Sequence, residues 1–303
     1  MANNVGIVIT ERVTVGVVSG NKLVGDLRLS PEDLSVADSL LGVPAEEIIN
    51  RIVGQVKNLR LEDPPAHVGV GMPGIVSNGI VEDSPNLVQF KGLHMADLMI
   101  EALEPVVGRV PVAIFNDADV MAAGIAATRG HLNKIVRVWT LGTGIGYGRY
   151  PSDGAVWEAG HSVVTLDPRE HFCGCGGRGH LEGIMGHRSM RLRFMDLEPE
   201  EVFAAAEAGE TRCVDFAKLW HRALAAATAT SIHMDGPGKF FITGFNARFI
   251  NLTLLHEYLH EMVKLSPLQG YSLEVVPGGE DIAAIGSAVN AERSASSVQR
   301  AGG

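Results

Sequence analysis

Apolar positions along this chain recur in short blocks whose period switches between two and about 3.6, the spacings of a strand and of a helical face. Val5 to Ile9, Val13 to Val18 and Lys22 to Leu29 read as three strands separated by short turns. Ile48, Ile52, Val56 and Leu59 then fall on one face, so a helix is expected from Pro44 to about Leu59, with proline tolerated in its first turn. His67 to Met72 reads as a buried strand that stops at Pro73-Gly74. Val112 to Phe115 is another strand, running into Asn116-Asp117 and an alanine-rich helix to about Thr128. The opening theme returns about 130 residues on, as Ile135 to Leu141 and Ile145 to Tyr150 around a glycine-rich turn. Helices near Glu200 to Ala208 and Val214 to His233, a strand Phe240 to Thr243, a helix Ala247 to Lys264, a strand Ser272 to Val276 and a last helix from Asp281 complete the pattern.

Strands and helices alternate throughout, which predicts an α/β fold of two similar domains around a cleft. The expected division is a smaller N-terminal domain, residues 1–116 plus a C-terminal helix 281–293, and a larger domain, 117–280. Residues 294–303, small and polar, read as a disordered tail.

Composition narrows the function classes. A chain of 303 residues, 46% hydrophobic and 20% charged, is an ordinary globular protein large enough to bury roughly 75% of its unfolded surface. No apolar run reaches the roughly 18 residues that would span a bilayer, so no membrane partner is expected. The start, Met-Ala-Asn-Asn-Val, has no basic segment followed by an apolar block, and three cysteines make no even disulfide framework. A reducing cytoplasm is the expected location. The formal net charge of −10 and the lack of a basic stripe argue against nucleic acid. Cys213, inside a helix, reads as a small buried hydrophobe.

Candidate chemistry concentrates between Trp157 and Glu182. Cys173 and Cys175, two residues apart with an imidazole on either side, supply the four ligands of a structural zinc; the alternative is a glycine-rich loop with ordinary cysteines. Glu158 and Glu182 lie at the two ends of the segment, so a metal that folds it would bring them together. With His161 they have the chemistry to bind a polyol, since a carboxylate accepts from neighbouring hydroxyls. Gly142-Thr143-Gly144-Ile145-Gly146 joins two strands, either as a nest of backbone N–H groups for phosphate or as a tight hairpin. Asp117, where a strand gives way to a helix, is the candidate for proton transfer; the competing reading is a helix N-cap.

Pro73-Gly74, Pro85-Asn86-Leu87, Asn116-Asp117-Ala118-Asp119, Gly142-Thr143-Gly144-Ile145-Gly146, Glu158-Ala159-Gly160-His161 and Cys173-Gly174-Cys175-Gly176, with Gly179 and Leu181-Glu182, occur in this order. The set resembles the ROK group of sugar kinases and related repressors along nearly the whole chain. The resemblance implies an actin-like, ribonuclease H-like ATPase fold of two domains that closes over Mg-ATP and a sugar, and an assembly that is a homodimer or homotetramer. It implies Asp117 as the base for the sugar hydroxyl and Asn86, Asn116, Glu158, His161 and Glu182 as sugar contacts. Gly142, Thr143, Gly144, Gly146 and Gly244 would face the nucleotide, and His161, Cys173, Cys175 and position 180 would hold zinc.

Three departures stand out. Position 180 is His180 where the family has cysteine, with His171 as the spare ligand. The Asp-x-Gly-Gly-Thr loop of the family reads Val8-Ile9-Thr10-Glu11-Arg12, so the acid that would organise magnesium is missing. Glu11 beside a triphosphate would cost roughly 4 kcal/mol at 4 Å and an effective dielectric of 20, a repulsion that Arg12 either offsets or ignores by pairing with Glu11 itself. The glycines near the adenosine are reduced to Thr243-Gly244-Phe245. A family repressor would carry a helix-turn-helix ahead of the first strand, so DNA binding is not expected. The expected function is a kinase that transfers the ATP γ-phosphate to a hexose or N-acetylhexosamine; the alternative is a catalytically weak or inactive sugar-binding sensor or partner subunit.

Overall fold

The computed structural model describes residues 3–33, 39–152, 154–264 and 270–301. The chain divides into two compact units. One comprises Met1–Val136, Gly148–Val156 and Gly279–Gly303, the other Arg137–Tyr147 and Trp157–Gly278.

In the first unit β1 (Asn4–Ile9), β2 (Val13–Ser19) and β3 (Lys22–Ser30) form an antiparallel meander. Helix α1 (Ala45–Asn58) follows, then β4 (Val68–Met72) and the small hairpin β5 (Ile75–Ser77) and β6 (Ile80–Asp83). Helix α2 (Met95–Val107), β7 (Val112–Asn116) and α3 (Asp117–Thr128) complete the run. Five strands make one sheet in the order β3-β2-β1-β4-β7, with β1, β4 and β7 parallel.

The central strands are buried on both faces, and the two faces are built differently. Val5, Ile7, Ile9, Val68, Val70 and Met72 pack with Ile48 and Ile52 of α1 and Met99 and Leu103 of α2. The alternate positions include Gly6, Gly69 and Gly71, and the last helix of the chain, α9 (Glu280–Ala301), lies against them. A Cβ on Gly6 would sit 1.8 Å from the Ala284 carbonyl oxygen, and one on Gly69 1.9 Å from that of Ser287. Helices α3 and α9 meet in the same way, since a Cβ on Gly124 would lie 1.9 Å from the Ile282 oxygen and one on Gly286 1.7 Å from the Val120 oxygen.

The second unit takes in most of β8 (Val136–Leu141) and the start of β9 (Ile145–Tyr150). It continues through α4 (Leu181–Met185), α5 (His187–Arg193), α6 (Pro199–Glu207) and α7 (Thr211–Asp235). Strand β10 (Lys239–Thr243), α8 (Leu252–Met262) and β11 (Ser272–Val275) follow, and the four strands are ordered β11-β10-β8-β9. Trp139 of β8, Ile184 of α4, Phe203 of α6, Trp220 and Leu224 of α7 and Leu255 of α8 form its core. The wholly buried Arg137 donates to the carbonyls of Asp235 and Gly236 at 2.8 and 2.7 Å, which satisfies the C-terminal end of α7 with a cation.

Three expectations are corrected. Helix α3 belongs to the first unit, because its glycine face packs on α9, so the division does not fall at residue 117. The single helix expected over Ala247 to Lys264 is a 3₁₀ turn, Phe245–Phe249, and then α8, whose N-cap Asn251 accepts from the Leu254 N–H at 3.1 Å. That capping bond needs an extended residue, which interrupts the run. Helix α9 continues to Ala301 through the segment expected to be a disordered tail; residues 294–301 contain no glycine or proline to stop it. Helix α2 escaped the sequence reading: Pro105 lies inside its last turn.

His221 of α7 donates from Nδ1 to the Ala217 carbonyl at 2.7 Å, and its Nε2 accepts the Asn251 N–H at 2.8 Å, so the pairing requires the neutral ring. Burial holds its pKa below the ordinary 6.5. A native-state pKa that is depressed leaves stability intact above about pH 6.5 and removes it as pH falls toward the native value, because the unfolded chain protonates first. The thermal midpoint is therefore expected to drop below about pH 6.5, and His221→Gln to flatten that acid limb, measured by calorimetry across pH. Gly286→Ala is expected to cost about 3 kcal/mol in urea unfolding, because its Cβ would meet backbone that cannot step aside.

Candidate functional site

In the first unit the sequence places Asn116 and Asp117 at the junction of β7 and α3. Asn116 is the N-cap: its Oδ1 accepts the Ala118 N–H at 2.8 Å, and its Nδ2 donates to the Gly74 carbonyl at 2.9 Å. The cap role considered for Asp117 thus belongs to its neighbour. Asp117 is the first helical residue, half-buried, with Oδ1 3.0 Å from the Ala118 N–H. The Ser84 hydroxyl donates to the Pro73 carbonyl at 2.8 Å, which ties the Pro73-Gly74 turn to the segment leading to the exposed Asn86. Asp119, given no role by the sequence reading, accepts the Arg149 N–H at 2.8 Å.

The first hairpin is closed by groups the sequence did not pair. Val8 is buried among Val120, Ala283 and Ala284. Arg12 pairs with Glu280 rather than Glu11, donating from Nε at 2.5 Å and from a terminal nitrogen as well. The reason is the close seating of α9 on the sheet, which brings its first residue to the hairpin tip. Glu280 and the Arg12 hydrogen bond hold the guanidinium pKa above its usual value, so the pair stays ionised. Glu11 is exposed, and its carbonyl accepts the Ser39 hydroxyl at 2.6 Å.

In the second unit, residues 162–164 run beside 179–181. The Val164 N–H donates to Gly179 at 2.8 Å and the Leu181 N–H to Ser162 at 3.0 Å. This pairing sets His161 beside His180, their rings stacked at 5.4 Å. A turn closed by the Gly176 N–H on the Cys173 carbonyl at 3.0 Å brings the two thiols to 3.3 Å. Donor atoms of His161, Cys173 and Cys175 all lie within 4.8 Å of one another, and His180 Nδ1 is 3.2 Å from the Cys175 sulfur. His171 instead stacks on Phe172 at 4.7 Å. Burial, reinforced by the second thiol and by Glu182, pushes the Cys173 thiol up to about 12, so a cation taken up there must displace a proton. The loop is anchored below by Glu170, buried and paired with Arg193 of α5, which in turn lies 4.4 Å over the Phe172 ring.

Glu182 of α4 stands between this cluster and the glycine turn. Oε1 is 3.9 Å from His161 Nε2 and 3.7 Å from the Cys173 sulfur, while Oε2 accepts the Ile145 N–H at 3.0 Å. Glu158, exposed, precedes the turn that ends in His161 and offers its carbonyl to the His161 N–H at 2.9 Å. In the 142–146 turn the Gly142 N–H bonds to Gly144 at 3.0 Å, so two of the N–H groups expected in a phosphate nest, those of Gly142 and Ile145, are already committed. The Gly142 carbonyl accepts from the His187 N–H and from Asn246 Nδ2, each at 3.1 Å. Gly244 has φ +97° beside Leu141, a place only glycine fills without strain. Sequence reasoning missed Asn246, His187 and Glu280; only Gly278-Gly279 ahead of Glu280 marked a helix start.

The ROK family pattern matches residues 42–267. The chain belongs to the ROK family. It is 29% identical over 252 residues to a glucokinase of Pyrobaculum calidifontis, covering 78% of this chain and 81% of that one. It is 27% identical over 235 residues to an N-acetylmannosamine kinase of Haemophilus influenzae, covering 73% and 76%. A ROK family glucokinase from Streptomyces griseus, solved in complex with glucose and AMPPNP, superposes with a TM-score of 0.67 at 22% identity over 96% of this chain and 99% of that one. The fold is the α/β actin-like ATPase fold of such kinases.

Proposed function

We propose that this ROK chain is a sugar kinase that transfers the ATP γ-phosphate to a hydroxyl of a hexose or N-acetylhexosamine. The observation that carries the reading is the placement of Asp117, half-buried in the first turn of α3 where β7 ends, beside the N-cap Asn116. The names of the related glucokinase and N-acetylmannosamine kinase supply the substrate class.

In this reading the sugar oxygen forms a bond to the γ-phosphorus as the bond to the ADP oxygen breaks, and the hydroxyl proton passes to Asp117. A carboxylate with an ordinary pKa of about 3.9 suffices, since a loose phosphoryl transition state asks for little early deprotonation. Asn86, Asn116, Glu158, His161 and Glu182 are assigned to sugar hydroxyls, and Gly142, Thr143, Gly144, Gly146 and Gly244 to the nucleotide. Mg-ATP as donor is supported by the AMPPNP held by the Streptomyces griseus relative.

Zinc fits the donor set of two thiols and His161, with His180 beside Cys175 as the fourth ligand. Bound there, it would supply a structural cross-link that fixes the loop carrying His161 and Glu182. No helix among the described residues is long and apolar enough to cross a membrane. Three unbridged cysteines support a reducing compartment, which we take to be the cytoplasm.

A second reading has its own observation. Val8, where the family acid would organise magnesium, is sealed in apolar contact, which favours a sugar-binding protein with little or no turnover. Titration calorimetry with Mg-ATP and a sugar panel separates the two. The kinase reading expects both ligands to bind, whereas tight sugar binding without nucleotide binding establishes the second. Asp117→Asn is expected to lower turnover by about 10²–10⁴-fold while leaving sugar affinity intact; full activity in that variant means the base is elsewhere. Metal analysis of the purified protein is expected to give about one zinc per chain, and a stable metal-free preparation would refute the cross-link.

A further inference from the structure

The carboxylate of Glu182 faces two ways at once. Oε1 looks onto His161 and Cys173, at 3.9 and 3.7 Å. Oε2 holds the Ile145 N–H at 3.0 Å. The Gly142–Gly146 turn is gripped again just beyond α4, where the His187 and Arg188 N–H groups reach the Gly142 and Thr143 carbonyls at 3.1 and 3.4 Å. Gly144 makes room for this arrangement. A Cβ there would lie 2.5 Å from Glu182 Oε2, so the glycine admits the carboxylate.

We propose that Glu182 is a positioning residue that couples metal occupancy of the His161–Cys173–Cys175 cluster to the conformation of the Gly142–Gly146 turn. The inference rests on the metal reading above. A cation in the cluster attracts Oε1. Because a carboxylate is rigid and planar, fixing one oxygen fixes the other on the Ile145 N–H, in a charge-assisted hydrogen bond. Coupling of this kind is reciprocal: whatever displaces the carboxylate from the turn must weaken the metal. A substitution in the turn, on a residue that is no ligand, therefore reads out at the cluster.

The test is made on the full-length protein with zinc, by competition against a chromogenic chelator and by amide hydrogen exchange. Gly144→Ala is expected to weaken zinc by about tenfold or more, the usual consequence of disturbing a group behind the ligands. Glu182→Gln, which keeps an acceptor for Ile145 but removes the charge, is expected to weaken it as well. In the unaltered protein, stripping the metal is expected to speed exchange at the Ile145 amide, while the core amide of Trp139 is unmoved. Zinc affinity unchanged in Gly144→Ala, or an Ile145 amide indifferent to metal, overturns the coupling while leaving the metal site itself standing. If Gly144→Ala does not fold, the exchange measurement on the unaltered protein decides alone. An unaltered protein that takes up no zinc removes the metal reading and the coupling together, an outcome distinct from the other two.

Discussion

Backbone laid against backbone, closer than one methyl group allows, is the constraint from which the first unit is built. The alternate residues of β1 and β4 on the face toward α9 include glycines, and helices α3 and α9 each offer a glycine to the other. The contact fixes more than stability. It seats the start of α9 beside the first hairpin, where Glu280 takes up Arg12, and it holds α3 by its flank so that Asn116 and Asp117 emerge at a fixed point. A larger residue at any of these positions would move both groups together. Overpacking of this kind has no inexpensive relief, because the opposing atoms are peptide oxygens.

The second unit reaches rigidity by a different route. Its loops carry polar residues that must be held without a dense core around them, and the structure uses paired short segments, a buried ion pair and a convergent set of soft donors. Glu170 and Arg193 would be costly alone in this setting. Joined, and with the guanidinium spread over Phe172, they anchor the loop ahead of Cys173. The thiols then lie 3.3 Å apart across a tight turn, which is a favourable starting point for a tetrahedral cation.

The strands of the five- and four-stranded sheets were legible because short apolar blocks end at turn residues, whereas the β5–β6 hairpin was not, and α1 was legible because its apolar face repeats cleanly. The Cys-Gly-Cys turn with flanking imidazoles was legible as chemistry, and the structure brings His161, Cys173 and Cys175 together. What could not be read was long-range. No local pattern says that α3 packs on a helix more than 150 residues later in the chain, or that Arg12 reaches Glu280 past the adjacent Glu11. The break before α8 was hidden for the opposite reason: a side-chain cap by Asn251 overrode an apolar periodicity that continued through it. The sequence offers Glu182 as a sugar contact, but no local pattern shows its bond to the Ile145 N–H, which depends on a tertiary approach across a glycine.

Magnitudes narrow what the altered first hairpin means. Were a triphosphate to lie beside Glu11, two unit charges about 4 Å apart would repel by roughly 4 kcal/mol at an effective dielectric of 20, but by only about 1 kcal/mol in water. Glu11 is exposed, so the lower figure governs, and mobile ions screen it further. Arg12 changes this little, because Glu280 already neutralises it. Repulsion at the hairpin is thus too weak to exclude a nucleotide. The greater loss is at Val8, which has no oxygen to offer a cation and whose apolar packing leaves no place for one. Any magnesium must then be held by the phosphates themselves and by acids elsewhere, and the balance between the kinase reading and the sugar-binding one turns on that single buried side chain rather than on the charges around it.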